Sequence, residues 1–315
     1  MKPLVILAGP TAVGKTDLSI RLAKRINGAI ISADSMQVYK YMDIGSAKIM
    51  PEEMQGVPHY LIDCLEPSEP FNIVRFQQMA KDALMEIYSK WQIPIVAGGS
   101  GFNIQALLYD IDFANQECDE AYRKELSDFA KEHGNEALHE KLKDIDPVSY
   151  DSIHANNSKR VIRALEYYHI TGKPISAHNE EEHRKTSPYN FSYFVLTDDR
   201  KTLYDRIDRR VDRMLEKGLV EEVKALYDRG YRRDMVSMQG LGYKEILDYL
   251  EEKCTLEEAV YVIKRETRHF AKRQLTWFRR ERDVIWLNRP EFAGEDAAIL
   301  EKMHTVLKEK GIIHE

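Results

Sequence analysis

Short apolar, β-branched runs recur along the chain at 4–8, 29–33, 59–63, 93–97, 193–197 and 284–287, with stretches of helical period between them. Strands that alternate with helices lie in a parallel sheet covered on both faces, so each run is apolar throughout and does not alternate with polar residues. The pattern predicts an α/β fold, a parallel sheet with helices on both faces. From about residue 117 to 188 the rhythm changes, and charged helical stretches follow one another without a strand. Tyr122, Leu126 and Phe129-Ala130 make one apolar stripe there, and Val161-Ile162, Leu165 and Tyr168 make another. A helical insertion domain is expected over 117–188, set into a core built from 1–116 and 189–315.

The first run leads directly into Gly9-Pro10-Thr11-Ala12-Val13-Gly14-Lys15-Thr16, and an amphipathic pattern of Leu18, Leu22 and Ile26 follows. Strand, G-x-x-x-x-G-K-[ST] and helix together are a phosphate-binding loop, which makes the core P-loop NTPase-like. Backbone N–H groups and the helix N-terminus would surround anionic oxygens, with Lys15 adding charge and Thr16 a Mg²⁺ ligand. The chain therefore handles a phosphate ester or a diphosphate, but kinases, motors, GTPases and some transferases share this loop.

Further candidates lie at the carboxyl ends of other runs, where open parallel sheets bind ligands. Asp34-Ser35-Met36-Gln37 follows the second run, and Asp34 could act as a base, sit beside a metal or simply cap the turn. Gly98-Gly99-Ser100-Gly101 follows the fourth and would suit either a close ligand or a tight turn. In Leu203–Leu215, Leu203, Ile207, Val211 and Met214 share one helical face, and Arg206, Arg210 and Arg213 share another. Such arginines also occur in the lid of a nucleotide kinase. Lys159, Arg160 and Arg163 start a helix that Asn156-Asn157 can cap, and an ordinary surface helix would look the same. The only weak second acidic motif is Tyr60-Leu61-Ile62-Asp63, which disfavours an ATP-driven motor.

Composition adds exclusions. Cys64, Cys118 and Cys254 lack paired spacing, so neither a disulfide framework nor a zinc site is expected, and the chemistry suits a reducing cytoplasm. His59, His154 and His269 show no metal-ligand spacing. No segment is long and apolar enough to suggest a membrane span. Net charge is −6, from 46 Lys and Arg against 52 Asp and Glu. Basic clusters nevertheless stand at Arg206–Arg213 and Lys264–Arg273, followed by Arg279, Arg280 and Arg282, and local charge decides phosphate-backbone contacts.

Beyond Gly9–Thr16, the blocks Ile31–Tyr39, Met42–Lys48, His59–Asp63, Gly98–Gly101, Arg160–Glu166, Gly240–Glu245 and Ala271–Phe278 run in one order over nearly the whole chain. In that order they closely resemble the bacterial tRNA dimethylallyltransferase family. Ser100-Gly101-Phe102-Asn103 stands where the family usually has Thr-Gly-Leu-Tyr, and Ser keeps the hydroxyl. The resemblance implies transfer of a dimethylallyl group from dimethylallyl diphosphate to the exocyclic N6 amine of the adenosine 3′ to the anticodon in tRNA. A P-loop small-molecule or nucleotide kinase is the alternative. Carried over by position, the resemblance implies catalytic roles for Asp34, Ser100, Lys15 and Arg210. It implies diphosphate contacts from Gly9–Thr16 and Arg206, with Mg²⁺ as cofactor, while Arg209 and Arg213 look like exposed charge. It also implies tRNA contacts from Asp34, Ser35, Met36, Gln37, Ser100, Arg123, Lys159, Arg160, Val161, Ile162 and Arg163. A cytoplasmic monomer that holds the tRNA anticodon stem-loop is expected.

Overall fold

The computed structural model describes residues 1–113 and 119–314. The chain forms two compact units, Met1–Leu108 with Pro188–Glu315, and Tyr109–Ser187. The helical unit thus begins at Tyr109, where the expected boundary was 117. Helix formation in the core stops at Leu108, and 109–113 goes with the insertion.

The first unit contains β1 (Lys2–Ala8), α1 (Lys15–Ile26), β2 (Gly28–Ser32), β3 (His59–Tyr60), α2 (Ile73–Ser89), β4 (Ile93–Gly98) and α3 (Gly101–Leu108). All strand pairs are parallel, and each of the six apolar runs supplies a strand of one sheet. The run at 59–63 gives only a two-residue strand at the sheet edge. Leu61 and Asp63 take positive φ, and the N–H groups of Asp63, Cys64 and Leu65 bond to carbonyls of Gln37 and Val38. The backbone after Tyr60 therefore braces the Asp34–Gln37 segment and leaves the sheet.

In the second unit lie α4 (Glu120–His133), α5 (Asn135–Glu140), α6 (Pro147–Ser152), α7 (Ser158–Thr171) and α8 (Ile175–Arg184). Leu126, Leu138, Leu142, Val161, Ala164 and Leu165 form its core. Val161 is completely buried, so its side chain packs the helical core and does not face a surface ligand. Tyr168, expected on that stripe, is exposed; Ala164 and Tyr167 are buried instead. Asn157 occupies the cap position of α7 without a side-chain hydrogen bond, so the expected cap is absent. Asp146 does cap, accepting from Ser149 at the start of α6 and from both the N–H and hydroxyl of Ser176 in α8.

The chain then returns to the first unit through β5 (Tyr189–Thr197), α9 (Arg200–Glu216), α10 (Leu219–Asp228), α11 (Tyr243–Leu250), α12 (Leu256–Phe278), β6 (Val284–Asn288) and α13 (Asp296–Glu309). The strand order is β3-β2-β4-β1-β5-β6. β1 lies inside the sheet, and Leu4–Ala8 are essentially inaccessible to solvent. Burial on both sides explains the unbroken apolar runs, and it directs the ends of β1, β2 and β4 into one crevice.

Candidate active site

Gly9 leaves β1 with φ of 150°, and a Cβ there would overlap the carbonyl oxygen of Leu196. Only glycine lets the loop turn this close to β5. Gly14 then opens α1, whose first turn carries Lys15 and Thr16. The loop borders a cavity of about 350 Å³. Asp34 and Gln37 enter it after β2, Gly98 and Gly99 after β4, Arg206, Arg210 and Arg213 from α9, and Phe270 and Gln274 from α12. Ile30, Ile49 and Ile62 form apolar wall beside His59, whose imidazole burial holds below its ordinary pKa.

The cavity concentrates positive charge. Burial and the neighbouring Arg210 push Lys15 down to about 7, and Asp34 opposes them only in part. Its ammonium folds back onto the carbonyls of Gly9 and Pro10, at 3.0 and 2.7 Å. Arg210 is likewise lowered, first by burial, with Arg213 adding to the effect and Asp34 opposing it. A crowded set of cations around backbone N–H groups is a site waiting for an anion. Arg206 is tied to the buried Asp198 at 2.7 Å, which fixes its direction. Arg213 is exposed as expected, yet it also borders the cavity.

Of the roles left open for Asp34, the turn cap is present. One oxygen, Oδ1, caps the turn by accepting from the Met36 N–H at 2.8 Å, while Oδ2 has no partner among the described residues. Gln37 is held between the Ser32 hydroxyl and the Ala47 carbonyl, at 3.2 and 3.3 Å. Ser100 does not line the cavity; its hydroxyl lies 3.3 Å from that of Ser35. Next to it, exposed Phe102 stands edge-on to Trp277, at 6.0 Å between centroids.

Thr16 is exposed at the cavity wall, and Asp34 lines the same cavity. Hard oxygen donors of this kind suit Mg²⁺, which usually takes one or two protein ligands and completes its shell with phosphate oxygens and water. Among the described residues no group of three His, Cys, Asp or Glu side chains could hold a metal alone. A Mg²⁺ here would depend on the diphosphate. Asp63, the weak acidic candidate, is instead paired with the buried Lys48, which also bonds Asp43 at 2.6 Å.

Sequence patterns did not single out three further residues. Gln274 bonds both the phosphate loop and the Gly99 carbonyl. Arg289, buried beneath the loop, donates to the Val13 carbonyl at 2.9 Å and to Asp296 at 2.8 Å. Glu222 accepts the N–H groups of Asp43, Ile44 and Gly45 and the Tyr243 hydroxyl, holding the loop that carries Ala47 and Ile49. Gln274 had a signal, a lone amide on the Ala271–Phe278 apolar stripe. Arg289 and Glu222 had none, because their partners lie far away in sequence.

The helical unit separates the expected RNA contacts into two kinds. Arg123 and Arg163 both grip the fully buried Glu166, at 2.7 and 2.8 Å, and Asp119 donates its N–H to the same carboxylate. Burial alone would raise Glu166, but these donors outweigh it and hold the carboxyl below its usual range. Lys159 and Arg160 are exposed, with no acidic partner among the described residues. Ile162 is half-buried against the unit's core.

Comparison with known proteins identifies the family. The IPP transferase family model matches residues 37–281. The tRNA dimethylallyltransferase of Lachnoclostridium phytofermentans is 61% identical over 313 residues, 99% of this chain and 100% of that protein. The enzyme of the same name from Acetivibrio thermocellus is 53% identical, covering 95% of this chain and 96% of its own. Among solved structures, the full-length tRNA isopentenylpyrophosphate transferase of Bacillus halodurans has a TM-score of 0.74 and 47% identity, over 99% and 98% of the two chains. A eukaryotic dimethylallyltransferase acting on tRNA reaches a TM-score of 0.82 at 30% identity, over 96% of this chain and 78% of that one. No described helix is long and apolar enough to cross a membrane.

Proposed function

The chain belongs to the IPP transferase family, and we propose that it transfers a dimethylallyl group from dimethylallyl diphosphate to the N6 amine of the adenosine 3′-adjacent to the anticodon in tRNA. The observation that carries this reading is the juxtaposition of a cation-rich phosphate loop with the unpaired oxygen of Asp34 in one cavity. A kinase explains the loop, but it gives no account of membership in this family. The protein would work in the cytoplasm as a monomer.

The adenine amine is a weak nucleophile, because its lone pair is delocalised into the ring. Asp34 Oδ2 accepts its proton as the C–N bond forms. The allylic carbon becomes cationic as its C–O bond to the diphosphate breaks, and negative charge grows on the departing oxygens. Lys15, Arg210, Arg206 and the loop amides stabilise that charge, already oriented before the reaction begins. Mg²⁺ bound at Thr16 would supply further charge neutralisation on the diphosphate. The apolar wall of Ile30, Ile49 and Ile62 keeps water from the reacting carbon. The target base must leave its stack to reach Asp34, which costs a few kcal/mol. Ser35 and Ser100, whose hydroxyls lie 3.3 Å apart, would meet the incoming base, and Gln37, with one amide hydrogen still available, would read a neighbouring adenine. Lys159 and Arg160 would hold backbone phosphates.

Incubation with unmodified tRNA, labelled dimethylallyl diphosphate and Mg²⁺, without ATP, should place label in the RNA. Lys15→Ala should lose roughly 10²–10³-fold in rate, the effect of one strong contact to developing charge. Strict dependence on ATP, with phosphate moved to a small acceptor, would establish the kinase instead.

A further inference from the structure

Gln274 lies on α12, far in sequence from the residues it bonds, and is only 6% exposed. Its Oε1 accepts the N–H of Thr11 at 2.9 Å, and its Nε2 donates to the carbonyl of Gly99 at 3.0 Å. β1 and β4 run side by side with Ala8 opposite Gly98, and their pairing ends there. Past that point, one side-chain amide does what a backbone peptide does in a ladder, accepting from one segment and donating to the other. A Cβ on Gly99 would overlap Nε2, so the second glycine of the turn is what lets the amide come this close.

We propose that Gln274 is a positioning residue that sets the register of the phosphate loop against the Gly98–Gly101 turn. It thereby fixes the spacing between the departing diphosphate and Ser100, the hydroxyl proposed above to meet the acceptor base. The catalytic part of this inference rests on the transfer reaction proposed above. Gln274 touches backbone atoms of both loops, so its effect on the reaction passes through them. In-line transfer is sensitive to such spacing, since a misplacement of about 1 Å can cost on the order of 10²-fold in rate.

Gln274→Met keeps length and apolar packing and removes both hydrogen bonds. Its affinity for inorganic pyrophosphate with Mg²⁺, measured by calorimetry, should fall roughly 5–20-fold, and the single-turnover rate should fall roughly 10–100-fold. Affinity for tRNA should stay within about twofold, because the phosphate-binding surface is unchanged. Gln274→Glu supplies the conservative rescue. Ionised, its carboxylate repels the Gly99 carbonyl; protonated, it accepts from Thr11 and donates to Gly99 as the amide does. Burial favours the protonated carboxyl and the cations of the cavity favour the ionised one, so the ratio of variant to parent rate should climb as pH falls from about 8.5 to about 5. A flat ratio, or a Met variant that matches the parent in both pyrophosphate affinity and rate, would overturn the proposal. If the Met variant does not fold, the pH profile of the Glu variant decides. Should the parent bind pyrophosphate yet label no RNA, the transfer reaction is wrong, and the pyrophosphate comparison still tests the clamp.

Discussion

Lys15 illustrates how a single side chain prepares the site. Ligand-free, it titrates near 7, so at pH 8.5 most molecules carry it neutral. An incoming diphosphate favours the ammonium and raises the pKa again. Binding of a dimethylallyl diphosphate analogue above pH 7.5 should thus take up close to one proton, and affinity should weaken as pH climbs from 7 to 9. The ligand's own last ionisation, about 6 for a phosphate ester, is complete in that range. Calorimetry in two buffers of different ionisation enthalpy measures the uptake; zero uptake in the parent, or an unchanged value in Lys15→Ala, contradicts the assignment. Asp34→Asn isolates the base, since it keeps the turn-capping oxygen and removes the acceptor of the proton. The single-turnover rate should fall roughly 10²–10⁴-fold with tRNA affinity little changed. Near-normal chemistry would move the proton to another group.

Helices carry their charges to different ends. In α12, Lys264 and Arg268 are paired with Asp212 and Asp208 of α9, at 2.5 Å each. Those pairs align the helix that supplies Arg206 and Arg210 with the one that supplies Gln274. Lys272 remains exposed, without an acidic partner among the described residues. In the helical unit the same division separates Lys159 and Arg160 from Arg123 and Arg163. Neutralising Lys159 and Arg160 should weaken tRNA binding and flatten its salt dependence by about one unit per lost phosphate contact. An unchanged slope would make that helix face a solvated surface only. Glu166→Ala should act on folding, lowering stability by roughly 3 kcal/mol because two arginines lose a buried partner. Glu166 lies below its usual pKa when folded, so its contribution is complete above about 4.3 and is lost as pH falls through the folded value. Urea denaturation of parent and variant at pH 7 and in acid checks both statements.

Across the molecule, the far end of the chain completes the near end. Arg289, 276 residues after Val13, supports the phosphate loop from below. Arg289→Met should leave the Val13 carbonyl and Asp296 without their donor, costing roughly 2–3 kcal/mol of stability. It should also weaken pyrophosphate binding several-fold by loosening the loop. A variant with unaltered stability and affinity would reduce Arg289 to filler. The net charge of −6 does not oppose an RNA partner, since local charge decides such contacts and Lys159, Arg160 and Lys272 are exposed without an acidic partner among the described residues.

Local order was legible because it is written in neighbouring residues. Gly9–Thr16 announces its own turn through φ values that glycine alone takes easily, and the apolar runs announce strands buried on both faces. The helical insertion showed itself by its change of period, although its start at Tyr109 depends on where α3 stops packing. Asp34 could be placed at a strand end, but only the folded chain shows one oxygen spent on a turn while the residue lines the cavity. Burial of Val161 and the capture of Arg123 and Arg163 by Glu166 follow from how helices pack, which periodicity constrains to a face and no further. The sequence by itself determined the phosphate loop, the sheet and the family. Tertiary structure alone decided which cations remain available to a ligand, and it brought Gln274 and Arg289 to a loop more than 260 residues away, because hydrogen bonds depend on distance in space.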